Sequence, residues 1–200
     1  MSENQLLAIL VVAAVAALAI GYAREYLVPR RHGRRLIEAL ARALSFECSR
    51  GTHGNTLVAG QRDGCRVEIL VSPIGNAIVT VPLSRSPVAE DVAIYETSSW
   101  SYQKHENRAL GLTIDTGDPE FDRYFDVSGR EPEVALAVSE HVRRTLVAHR
   151  RRGLMLVCGT LMLGSGGAMP FGYVHQRPDT LDGVLEMITA ATALARDLER

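Results

Sequence analysis

The chain has 200 residues, 46 % of them hydrophobic, and a formal net charge of -1, the size of one ordinary domain that can bury its own core. So balanced a charge excludes a dedicated nucleic-acid binder, in which cations would dominate a whole face of the domain. Cys48, Cys65 and Cys158, an odd number at irregular spacing, exclude an extracellular disulfide framework.

Residues 6–23, LLAILVVAAVAALAIGYA, carry no charge, and Arg24, Arg30, Arg31, Arg34 and Arg35 follow them. At about 1.5 Å per residue such a run spans roughly 27 Å as a helix, close to the hydrocarbon thickness of a bilayer. A cleavable signal would need a basic start, whereas the residues ahead of the run are MSENQ, and the Ala17-Leu18-Ala19 triplet is expected from composition alone. The arginine flank predicts that the N-terminus crosses and that the chain after it stays in the cytoplasm. Those five arginines are the candidate contacts with the membrane surface. Ala13, Ala17 and Gly21 recur at four-residue spacing, the pattern that lets two membrane helices approach, so a homo-oligomer is an open option.

Beyond the anchor, Leu36, Ile37, Leu40, Ala41 and Leu44 mark one face of an amphipathic helix over 34–46. Polar residues from Ser49 to Asn55 end it. Strands are expected at 56–62 and 65–72 around an Asp63-Gly64 turn, with a third at 77–83 after Gly75-Asn76, paired as an antiparallel meander. A strand near 92–96 precedes an irregular stretch containing Trp100, Tyr102 and His105, followed by strands at 110–115 and 123–128 about a Thr116-Gly117-Asp118-Pro119 turn. Glu131-Pro132 opens a helix that runs to Arg152 with a break near Ser139. Residues 153–174 are uncharged, but six glycines and Pro170 interrupt them, so a buried hairpin turning near Cys158-Gly159 fits better than a second membrane span. The last helix, 180–198, shows a continuous apolar stripe with Asp179 or Thr180 as cap.

The expected architecture is α+β. A single transmembrane helix, residues 1–23, leads through a basic juxtamembrane linker, 24–33, to a cytosolic α+β domain, 34–200, of antiparallel strands packed with about three helices.

The segment Thr116 to Gly129, TGDPEFDRYFDVSG, resembles a TGDPxFDxxFxVxG motif of uncharacterised bacterial membrane-anchored proteins. The resemblance covers mainly residues 110–200 and implies no established activity. Physically, Gly117 and Asp118 suit a turn, while Phe121, Phe125 and Val127 can anchor it in the core. The same segment gathers Asp115, Asp118, Glu120, Asp122 and Asp126, but without the alternate spacing of an EF-hand loop, so no metal is assigned.

Cys48, His53 and Cys65 lack the fourth ligand and tight pair of a structural zinc site. His141 and His149 have no nucleophile beside them in sequence. Gly164-Ser165-Gly166-Gly167 has neither the lysine of a phosphate-binding loop nor the frame of a nucleophile elbow. No cofactor and no catalytic residue follow from these patterns. The expectation is a non-catalytic binding or scaffold domain at the cytoplasmic membrane face, with the bilayer and a protein as partners and Asp118, Asp122, Trp100 and Tyr102 as candidate binding residues. Two alternatives remain open: a hydrolase-type or metal-dependent enzyme using Asp118 and Asp122 with His105 or His175, and a sensor of anionic lipid through the arginine clusters.

Overall fold

A computed structural model describes residues 28–51, 54–73, 75–89, 92–96, 113–129, 138–150, 153–157, 159–164 and 180–200. The 6–23 apolar run lies outside them, and no helix among the described residues is long and apolar enough to cross a membrane. Helix α1 (Val28–Leu44) is followed by strands β1 (Glu47–Arg50), β2 (Thr56–Arg62), β3 (Cys65–Val71), β4 (Ala77–Pro82), β5 (Ala93–Glu96) and β6 (Thr113–Ile114). Then come α2 (Pro119–Tyr124), β7 (Phe125–Ser128), α3 (Glu140–Ala148), β8 (Leu154–Val157), β9 (Thr160–Gly164) and α4 (Leu181–Leu198).

The strands form one antiparallel sheet in the order β1-β2-β3-β4-β9-β8-β5-β7-β6, so the architecture is α+β. The expected meander is present as β2-β3-β4, with Asp63 and Gly64 both at positive φ, 53° and 81°, in the first turn. The late β8–β9 hairpin, turning at Gly159, inserts between β4 and β5 and joins that meander to the second group of strands.

Strand alternation places Val58, Ile69, Val79, Leu163 and Leu154 across one face, all fully buried, with α1 against β2 and α4 against β3, β4 and β9. On the other face, Leu57, Leu70, Ile78, Met162 and Met155 are half-buried.

Three differences from the sequence reading have physical causes. Helix α1 starts at Val28, inside the stretch read as linker, because Gly33 lets its first turns press on the β3–β4 turn: a Cβ there would collide with the Pro73 carbonyl oxygen. Residues 119–124, partly read as strand, form α2 because Asp118 caps them and Pro119 occupies the first turn. Strand β1 falls where a polar loop was expected, since all four of its residues are exposed on a sheet edge and show no alternation. The break expected near Ser139 is where α3 starts, the Ser139 hydroxyl accepting from the Val142 amide, and residues 131–137 of that reading lie outside the described ones.

Candidate binding groove and the acidic turn

The acidic turn is built from its own carboxylates. Asp118 Oδ1 accepts from the Phe121 amide at 3.2 Å and caps α2, while its Oδ2 meets Arg143 Nε of α3 at 3.1 Å. The Phe121 hydrogen bond above all, then Arg143, holds this carboxyl below the usual carboxylate range. Asp122 reaches back across the turn: its Oδ1 accepts from the Thr116 hydroxyl at 2.7 Å and the Thr116 amide at 3.2 Å. Burial pushes Asp122 upward, and the adjacent Asp115 carboxyl adds to this, against the Thr116 donors. Asp115 Oδ1 itself accepts from the Gly117 amide at 2.9 Å. Phe121 and Phe125, stacked with centroids 5.1 Å apart, fix the turn to the core. Asp126 is buried on β7 opposite Tyr95.

These contacts bring Asp118 and Asp122 together as turn-forming groups. His105 and His175, the histidines weighed beside them, lie outside the described residues, as do Trp100, Tyr102, His53 and Cys158. Among the described residues no three His, Cys, Asp or Glu side chains converge as for a metal. Cys48 lies opposite Val58 and Cys65 opposite Arg62, four positions along β2 and roughly 13 Å apart at strand rise. Burial raises the Cys65 thiol above its ordinary value, with Glu199 adding to the effect.

Of the arginine flank, Arg24 lies outside the described residues and Arg30 is described only as backbone of α1. Arg31, Arg34 and Arg35 are exposed on that helix, and Arg34 Nε pairs with Glu38 at 3.3 Å.

A different surface offers room for a ligand. Thr180 caps α4 by accepting from the Gly183 amide at 3.2 Å, and Val184, Ile188, Ala191, Leu194 and Leu198 turn its apolar stripe onto the sheet. Helix α3 lies beside it through Val142 and Leu146. His141 Nε2 donates to the Asp197 carbonyl at 2.8 Å and His149 Nε2 stands 3.7 Å from the Asp197 carboxylate, which locks the two helices. Along the outer side of α4 runs an open groove of about 720 Å³, lined by Leu185, Ala190 and Ala193 interspersed with Asp182, Glu186 and Thr189, and by His149 from the end of α3. Neither Asp182 nor Glu186 has a hydrogen-bond or ion-pair partner among the described residues. Sequence reasoning missed this groove because it read the buried stripe of α4 and not the carboxylates spaced i, i+4 on the other side.

Glu96 was also missed. It is buried at the end of β5, where its Oε2 accepts from the Gly153 and Leu154 amides at 3.0 and 3.3 Å and secures the start of β8. Its strand was legible, but a carboxylate serving a distant chain segment has no local signature.

No protein-family model, curated protein or solved structure matches the chain. The site is therefore read from its own geometry.

Proposed function

We propose that this is a single-pass membrane protein, with its N-terminus outside, whose cytoplasmic α+β domain binds a protein partner without catalysis. The partner surface is the α4 groove, and its occupant is a basic amphipathic helix. The observation that carries this reading is a groove whose lining mixes apolar Leu185, Ala190 and Ala193 with two carboxylates, Asp182 and Glu186, that have no ion-pair partner among the described residues. A docked amphipathic helix needs apolar contacts together with complementary charge. The charge-free run at 6–23 and its arginine flank support the membrane location. The acidic turn supports a non-catalytic role, since Asp118 and Asp122 already serve α2, Arg143 and Thr116.

A photo-crosslinking residue at Thr189 of the full chain, expressed in its membrane, tests the groove. One discrete adduct is expected, mapping to a basic helical segment of the captured protein and lost in D182K/E186K. An adduct unaffected by the charge reversal, or one mapping to an acidic segment, overturns the assignment. Substrate turnover abolished by D118N or D122N would favour the enzyme alternative instead.

A further inference from the structure

The α1 helix turns its apolar side to the fold, and the exposed side chains described on it are mostly charged. Gly33, Leu36 and Leu40 are buried, while Arg31, Arg34, Arg35 and Arg42 lie exposed along the opposite side with Glu38. An ordinary interfacial helix inserts an apolar face between headgroups, whereas Leu36 and Leu40 of this one are already committed to the core.

Its first turns also sit at a defined end of the sheet. Gly33 abuts the β3–β4 turn, where a Cβ would stand 3.0 Å from the Gly75 amide nitrogen, and a Cβ on Gly54 would meet the Pro73 ring at 3.6 Å. The start of α1, the β1–β2 turn and the β3–β4 turn therefore come together. Both turns are closed by their own backbone, Gly51 N to Asn55 O at 2.9 Å and Ser72 N to Asn76 O at 2.8 Å. Arg50, exposed at the end of β1, adds a cation to the same end. The stretches 28–35, 50–55 and 72–76 contain no carboxylate.

We propose that this end of the sheet is an electrostatic contact with anionic phospholipid headgroups, made by Arg31, Arg35 and Arg50, that fixes the orientation of the domain on its membrane. The inference rests on the anchor reading above and adds which surface faces the bilayer. Covalent geometry supports it: five peptide steps from Ala23 to Val28 span at most roughly 18 Å even when fully extended, so the start of α1 cannot stand far from the end of the apolar run. The Asp63-Gly64 hairpin tip then points away from the membrane, at the other end of β2.

The test uses the full chain in lipid nanodiscs that include nickel-chelating headgroups. A nitroxide is placed at Asn55→Cys or Gln61→Cys, with the three native cysteines replaced by serine. Nickel broadening should be stronger at 55 than at 61 in discs containing phosphatidylglycerol. The difference should be lost when phosphatidylcholine replaces the phosphatidylglycerol at the same content of chelating lipid, in R31E/R35E/R50E, and in 1 M salt, where the screening length falls to about 3 Å. Lipid and salt act on the unmutated contact, so misfolding of the triple variant does not spoil the result. Equal broadening at both positions, or a difference insensitive to lipid charge and salt, overturns the orientation while leaving the anchor intact. Failure of the chain to enter the discs overturns the anchor reading and this inference with it.

Discussion

At the residue scale, Asp118 and Asp122 lie four positions apart, and the fold shifts their carboxyl pKa values in opposite directions. The Asp118 carboxyl is held low by the Phe121 amide and then by Arg143, so its stabilising contribution is present above the unfolded carboxylate value near 3.9 and is lost as pH falls through its lowered folded value. Burial raises Asp122, so its contribution is fully present below the unfolded value and is lost as pH rises through the raised one. D118N keeps an oxygen that can cap α2 but removes the charge facing Arg143, whereas D122N removes a charge the site disfavours. Urea unfolding of the solubilised chain at pH 7 should therefore find D118N less stable than wild type, a gap that closes as pH falls below about 4. D122N should instead gain against wild type as pH rises from 4 to 7. Parallel pH trends for the two variants would refute the opposed environments. The turn was legible in sequence because Gly117, Asp118 and Pro119 carry local turn chemistry. The Arg143 contact was not, since it joins residues 25 positions apart.

At the scale of elements, α1 is held at both ends by glycines. Gly33 admits the Pro73 carbonyl at the start of the helix, and Phe46, just past its end, lies over Gly60 of β2, where a Cβ would come within 2.6 Å of the ring. Alanine at position 33 would gain up to about 1 kcal/mol of helix propensity. It would also meet a backbone carbonyl that cannot rotate aside, and overpacking of this kind typically costs about 1–3 kcal/mol. G33A should therefore lower the stability of the chain despite the better helix former. G60A should be destabilising as well, because a Cβ there meets the buried Phe46 ring at its Cγ root. Chemical denaturation measures both, and a stabilising G33A would mean that α1 is not docked at the Pro73 turn. These contacts also mark what sequence could show. The helix over 34–44 was visible from Leu36, Leu40 and Leu44, yet its first six residues carry no apolar period because a glycine makes the contact. Edge strand β1 and six-residue α2 were hidden for related reasons, one lacking alternation and the other too short to display a period.

At the scale of the molecule, the order of the sheet makes one hairpin decisive. Strands β1 to β4 form a continuous meander, and β5, β7 and β6 form a second group, and among the described residues the strands of the two groups are joined within the sheet only through β8 and β9. The hairpin pairs Leu156 with Leu161 and Leu154 with Leu163, all fully buried, and α4 lies across β3, β4 and β9 as a common cover. Local patterning disclosed the hairpin and the last helix but not this insertion, because pairings such as Val81 with Leu161 join segments 80 residues apart. If the hairpin couples the halves, neither half has a complete core without it. Leu161→Ala removes a buried leucine and should cost about 2–5 kcal/mol. Hydrogen exchange of the full chain should then show protection falling by the same factor at Ile69 in β3 and at Ile94 in β5, since both open only through the shared transition. Loss confined to the β5 side, with Ile69 still protected, would show that the meander and its α4 cover fold alone. In that case the α4 lining of the groove would stay folded with the meander half, and crosslinking at Thr189 should survive Leu161→Ala even where the β5 side has opened.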